Sequence, residues 1–503
     1  LDATPSPLRL LLAIPDHPWV DAAQGAAVRI AMTVAATATG PDRDAPARLG
    51  QVVDEQPGSD HGEARVALAW QTPDRIHATL TGGADVGATV PLRANVGLSF
   101  QGMNLVGQGF RLSREEVRGL GYDPDTSGAL PPVIRPYLNA RELTQKPEDR
   151  FVIDLFGLTA EQSREQHPAL YQWLLERVKP ERDQNRDAQR KRDWWLFGRS
   201  NSKLRAAWPG LRRYIVTPIT AKHRFFVWAP LELTPDCELY AICTDEAYLL
   251  GVLSARIHKV WALAAGSRLG VGNDPRWRNT RCFDPYPFPA STPAQRARIA
   301  DLAEHLDAHR KRQQAQHPGL TITGMYNVVE ALKEGRPLTA KEKVIHEQGL
   351  CSVLRQLHDE LDSAVAEAYG LAVDLPDEEL LERLVALNRE RAAEEARGLV
   401  RWLRPDFQHP EATAAAVQLD TELPEAEEGP APLAPAQRRP WPKKLPEQAT
   451  ALRAALAARP GPATPAELAS GFTGARADRV AELLDALVAL GQARQLEDGR
   501  VVA

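Results

Sequence analysis

Cysteine is scarce in this chain. Cys237, Cys243, Cys282 and Cys351 are the only four among 503 residues, and none forms a CxxC pair or a zinc-type spacing. That excludes a disulfide-stapled scaffold and a zinc-finger reader, and it fits buried thiols in a reducing cytoplasm. Long apolar runs are missing too. No stretch of about 18 apolar residues occurs, so no membrane-crossing helix and no membrane partner are expected. LRLLLAIP at 8–15 is too short, and it lacks the basic flank and cleavage site of a secretory signal. The glycines of SFQGMNLVGQGF at 99–110 suit bends, because a phosphate loop needs a strand–helix frame and a lysine. No acidic D-(E/D)xK cluster stands on a strand turn, which weakens a nuclease reading. His305 and His309 sit one helical turn apart with charged flanks and no third ligand nearby. They read as a solvated face, and no metal is expected.

Positive charge, by contrast, is concentrated. The chain is acidic overall at −5, yet from Arg177 to Arg224 fourteen Lys/Arg face only four Asp/Glu, a local +10. Such asymmetry is the footprint of a phosphate-binding face. Its centre, DWWLFGRSNSKLRAAWPGLRRY at 193–214, interleaves indole rings with arginine and lysine. The same stretch also fits a solvated helix followed by a half-buried strand. If Trp194 and Trp195 lie on a strand, only one faces the core and the other is free for the surface.

Along the chain, AAVRIAMTVAA at 26–36 is a continuous apolar run with β-branched residues, which predicts a strand buried on both faces. EARVALAW and DRIHATLTG predict short strands. Residues 133–290 mix strands (RFVIDLFG, RYIVTPIT, RFFVWAPL) with helices (ALYQWLLERV, DEAYLLGVLSARIHKVWALA) and close on the proline-rich CFDPYPFP. From 292 to about 403 the pattern is helical, opening on a Thr cap and a first-position proline in TPAQRARIADLAEHLDAHRKRQQ. Residues 408–446 have the Pro/Ala/Glu composition of a linker. The last segment reads helix–helix–helix–hairpin, with Asp-Gly as the turn, which is the winged-helix order. Its third helix sets Arg476 and Arg479 against Asp478, Glu482 and Asp485, too acidic for a strong major-groove reader.

Several of these strings together resemble one family. PYLNARELTQKPEDRFVIDLFGL (136–158), the WW-F-G element at 194–198, RYIVTPITAKHRFF, and LGVLSARIHKVWALA followed by FDPYPFP look like a target-recognition region. That region belongs to large adenine-N6 DNA methyltransferases of restriction–modification and phage-defence systems. LNRERAAEEARGLVRWLRPDFQ (387–408) is similar to the tail of the DISARM and BREX class, and PWVDAAQGAAVRIAMTV to the last strands of their catalytic domain. The resemblance covers roughly residues 15–408.

The resemblance implies S-adenosylmethionine as the parent enzyme's cofactor and double-stranded DNA as its partner. It also implies an Asn/Asp-Pro-Pro-Tyr/Phe segment, whose oxygens polarise the adenine amine while its ring stacks on the flipped base. Neither that segment nor a Gly-rich cofactor turn is present; Asp284-Pro285-Tyr286 lacks the second proline. With Leu1 opening mid-domain, the chain reads as the C-terminal part of such an enzyme and is not expected to methylate alone. The catalytic half is expected on upstream sequence or on another subunit. The alternative is a non-enzymatic DNA-binding or adaptor subunit with a winged helix.

The expected class is α+β and multidomain: a remnant of α/β methyltransferase strands, a mixed α/β recognition domain, a helical domain and a winged helix. The expected boundaries are 1–95 for the end of the catalytic domain with a β-rich connector, 96–290 for target recognition, 291–407 for the helical domain, 408–446 for the linker and 447–503 for the winged helix. Arginine reads guanine, asparagine and glutamine read adenine, and contiguous basic runs line phosphates. The expected DNA-binding residues are therefore Arg186, Gln189, Arg190, Lys191, Arg192, Arg199, Asn201, Lys203 and Lys222. A second surface is the Gly-rich loop GSRLGVGNDPRWRNTR (266–281), with Arg268, Asn273, Arg276, Arg278 and Asn279.

Overall fold

The computed structural model describes residues 8–19, 28–37, 45–56, 65–126, 128–145, 148–269, 274–410, 439–442, 445–457, 463–489, 493–495 and 501–502. The chain forms two compact units, residues 1–418 and 419–503. It is a mixed α and β structure.

The first unit holds three four-stranded sheets. One has the order β2-β1-β3-β4, built from β1 (Leu8–Trp19), β2 (Val28–Thr37), β3 (Arg48–Gln56) and β4 (Arg65–Gln71). The expectation of a doubly buried strand at 26–36 fails here. Among the described residues β2 is an edge strand paired only with β1, none of Arg29–Thr37 is buried, and Val34 is 54% exposed. An apolar run states affinity for a partner surface but does not say that one is present. Arg29 instead pairs across this sheet with Asp16 at 2.6 Å and Glu55 at 2.9 Å.

The strands β5 (Ser99–Gln101), β6 (Arg111–Leu112), β7 (Ile134–Leu138), β8 (Arg150–Ile153), β9 (Arg213–Pro218), β10 (Val227–Pro230), β11 (Thr234–Pro235) and β12 (Leu239–Ile242) make the other two sheets. Their orders are β10-β9-β12-β5 and β11-β7-β8-β6. RYIVTP forms β9 as its β-branched pattern predicts, and five of its six residues are buried.

Helices Ala247–Ser254 and Arg256–Ala265 were expected as one. They break at Ala255, whose backbone is extended, and the freed amide of Arg256 donates to Asp362 Oδ1 at 2.6 Å. Helix Pro293–Gln316 crosses the first of them so closely that a Cβ on Gly251 would meet Ile299 Cγ2 at 2.5 Å. Its start follows the sequence signal: Gln295 N donates to Thr292 Oγ1 at 3.3 Å, and Thr292 N donates back to Gln295 Oε1 at 2.9 Å.

One continuous hydrophobic core joins the other two sheets to the helices, with Trp261, Trp277, Tyr214, Tyr248, Tyr286, Phe226 and Phe283 fully buried, while the first sheet packs a separate small cluster of Leu10, Ala13, Ala47 and Ile76. Three of the cysteines are buried and burial pushes their thiols up, Cys243 to about 12 and Cys282 and Cys351 to about 11. His305 stays exposed beside Asp301, but His309 is buried against Gly349 O at 3.0 Å, so the two histidines do not share a solvated face. Among the described residues no three His, Cys, Asp or Glu side chains gather as a metal site, and no helix is long and apolar enough to cross a membrane.

The second unit contains helices Leu445–Ala457, Pro465–Ser470 and Ala477–Ala489, then Arg494–Gln495 paired antiparallel with Val501–Val502. Its own core includes Leu452, Leu468, Val480, Leu484 and Val501.

Candidate nucleic-acid interface

The two basic segments meet at one strand edge. β5 pairs antiparallel with β12, setting Tyr240 opposite Gln101, and among the described residues its other side carries no strand. Carbonyls on that free edge must find donors, since an unpaired buried acceptor costs about 1–3 kcal/mol. Asn279 Nδ2 donates to Ser99 O at 2.8 Å, and Asn201 Nδ2 donates to Gln101 O. Asn201 adopts a left-handed backbone (φ +48°), which asparagine tolerates better than most residues, and its Oδ1 accepts from Leu204 N to start helix Ser202–Ala206. Both asparagines were expected to read bases. Their amides are occupied in holding the edge.

Arg199 stands beside them. Its Nη2 donates to Gln101 Oε1 at 2.9 Å, and its backbone bridges Asn104. Burial raises the Tyr240 phenol above its ordinary value, and Arg278 and Arg199 both pull it back, so the two segments share this ring as a neighbour. On the far side, β13 (Ser267–Leu269) and β14 (Asp274–Arg276) form a hairpin. Arg276 bridges Thr220 through its backbone, and the buried Arg224 guanidinium donates to Pro275 O at 3.2 Å. The described part of the expected Gly-rich loop is thus a strand pair anchored to the 219–224 segment. Arg276 is half-buried with its Nε unpartnered, and Arg278 is exposed. Asn273 and the side chain of Arg268 lie outside the described residues.

The helix Ala188–Arg192 is one short turn capped by Asp187, whose carboxylate accepts from Gln189 N and Arg190 N. Arg190 pairs with Asp187 at 3.3 Å and Arg192 with Asp193 at 3.0 Å, while Arg186, Gln189 and Lys191 are exposed. Trp194 and Trp195 lie on a turn, not a strand, and neither is exposed. Trp194 is buried edge-on to Tyr171, and Trp195 Nε1 donates to Leu158 O at 3.0 Å.

The +10 of the segment shrinks in three dimensions. Arg182 and Arg224 are buried against carbonyls. Arg177, Arg205, Arg213 and Lys222 pair with Glu116, Asp154, Glu304 and Glu330, all outside the segment, and Lys179 pairs with Asp183. With Arg190 and Arg192 also paired, five exposed cations without an ion pair remain among the described residues: Arg186, Lys191, Arg199, Lys203 and Arg212. Gln101 and Tyr240, on which the edge is organised, were not singled out from sequence. A lone glutamine and tyrosine carry no local signal.

The Asp284-Pro285-Tyr286 segment cannot act as a base-flipping site. Tyr286 is fully buried, with its hydroxyl 2.8 Å from that of Tyr369, so its ring offers no face to a base. Asp284 is half-buried, and burial pushes its carboxyl up to about 6. The residues present do not fit S-adenosylmethionine either: among the described residues no strand runs into a Gly-rich turn and helix.

The chain is 27% identical over 180 residues to DNA methyltransferase A of Bacillus subtilis (strain 168), a match taking in 35% of this chain and 17% of that protein. Its fold matches that of the Type IIL restriction–modification enzyme MmeI, solved in complex with DNA, with a TM-score of 0.56 and 16% identity. This chain resembles a restriction–modification methyltransferase. The family resemblance read from the sequence is borne out at that level. No family model matches the chain. The structural match covers 77% of this chain but 46% of MmeI, so the chain spans less than half of either protein.

Proposed function

We propose that this chain is the target-recognition part of an adenine-N6 DNA methyltransferase of a restriction or phage-defence system. It binds a specific duplex site, while S-adenosylmethionine and the catalytic motif belong to sequence outside it. The observation that carries this reading is the convergence of Arg199 and Arg278 on Tyr240 beside the β5 edge, where Arg199 also holds Gln101. Arg199, Arg278 and the half-buried Arg276 have the forked donors that guanine edges accept, and Arg186, Lys191, Lys203 and Arg212 supply phosphate contacts. Lys222, already held by Asn327 at 2.8 Å, is assigned to the rim. The 447–503 segment is a winged helix in this reading, and its acidic third helix suits a protein contact better than a groove. The test is quantitative binding of the purified chain to duplex DNA across a salt series, followed by mapping of methylated sites once the catalytic half is supplied. Absence of binding at low salt defeats the proposal.

A further inference from the structure

A cavity of about 330 Å³ opens between the 79–89 loop, the base of the β13–β14 hairpin and the π-helical turn Asn279–Phe283. Its lining is unusual in sign. Arg278 and Arg281 both face it, Ser267 and Thr280 add hydroxyls, and no Asp or Glu lines it. All four side chains are exposed, and among the described residues none is committed to an ion pair or side-chain hydrogen bond. This contrasts with the basic segment at 177–224, where half of the fourteen cations pair with carboxylates. Two unpaired guanidiniums in one concave, acid-free site repel each other unless an anion sits between them. At the base of the hairpin the backbone is packed too tightly for a side chain: a Cβ on Gly266 would meet Arg276 O at 2.5 Å.

We infer that this pocket grips one phosphodiester of the duplex backbone, with Arg278 and Arg281 as a double clamp and Ser267 and Thr280 as further donors. The inference rests on the DNA-binding reading and deepens it: Arg278 becomes a phosphate ligand, not a base reader, and Arg281 joins the site. A phosphate fixed beside the hairpin sets the register in which Arg276 meets the bases. Guanidinium forks match phosphate oxygens in pairs, which an ammonium cannot do.

The test uses the full chain and a duplex carrying single neutral methylphosphonate linkages, moved one step at a time along each strand. The parent protein should lose affinity sharply at one linkage, about tenfold for a charge-assisted contact of this kind. Arg281→Ala and Arg278→Ala should each weaken binding to unmodified duplex by a similar factor and abolish sensitivity at that linkage. The double variant should lose little more, because both act on one phosphate. Arg281→Lys should keep the charge, and with it the salt slope, while recovering only part of the affinity. Variants that bind like the parent and keep the full methylphosphonate profile overturn the pocket while leaving the DNA reading in place. If the parent fails to bind duplex but binds inorganic phosphate in an Arg281-dependent manner, the ligand is a free phosphate, and both the inference and the DNA reading fall.

Discussion

Asn201 and Asn279, distant in sequence, hold carbonyls two residues apart on the same strand: one takes Gln101 O and the other Ser99 O. This pairing joins the 193–214 segment to the hairpin segment and makes both asparagines structural. Asn201→Ala loses the edge bond and forces a left-handed backbone on alanine, so it should cost about 2 kcal/mol. Asn201→Gly keeps the backbone and should cost about half as much. Urea midpoints of the two variants check the order; equal losses would mean that the φ angle is irrelevant.

Binding to duplex DNA should weaken about a hundredfold between roughly 50 and 200 mM salt if several phosphates are contacted. Fluorescence anisotropy with a mixed-sequence duplex measures this. A flat salt response would remove the phosphate-binding role of the exposed cations.

The contiguous run Arg190–Arg192 should not act as three equal charges. Arg190 and Arg192 are paired with Asp187 and Asp193, whereas Lys191 is free of any ion pair among the described residues. Lys191→Ala should lower the slope of log Kd against log salt by about 0.9, and Arg192→Ala by much less. Neither should change which sequence is preferred. A change in the preferred site from Lys191→Ala would make this helix a base reader.

Glu142 is buried, and burial pushes its carboxyl up to about 7, with Glu148 adding to the shift. An acid with a raised folded pKa destabilises the fold when ionised. The cost is fully present above about pH 7, is relieved as pH falls through that value, and is gone below the ordinary carboxylate range near 4.5. Glu142→Gln, which keeps an oxygen for Asn139 Nδ2, should therefore stabilise the protein at pH 8 by about 1 kcal/mol and have no effect at pH 4. Thermal unfolding at the two pH values decides it.

The second unit has its own hydrophobic core. Deleting residues 445–503 should leave most of the duplex affinity, since its third helix is acidic, and limited proteolysis should cut first within 408–446, whose composition is poor in groups able to pack. Loss of most affinity on deletion would relocate the DNA surface to that unit.

The sequence by itself determined what depends on neighbours along the chain. Thr292-Pro293 and Gln295 specify a helix start, RYIVTP specifies a buried strand, and the strings around 136–158 and 194–198 carry the family resemblance, because caps, alternation and motif spacing are local. Tertiary structure decided the rest. It left the apolar run of β2 on a sheet edge, and it offset four charges of the local +10 with Glu116, Asp154, Glu304 and Glu330, carboxylates that no count over the segment can see. It also turned two expected base readers into supports for β5 and set Arg281 beside Arg278 in an acid-free cavity. A charge or an amide acts through the atoms that surround it, and those atoms are chosen by packing between segments far apart in sequence.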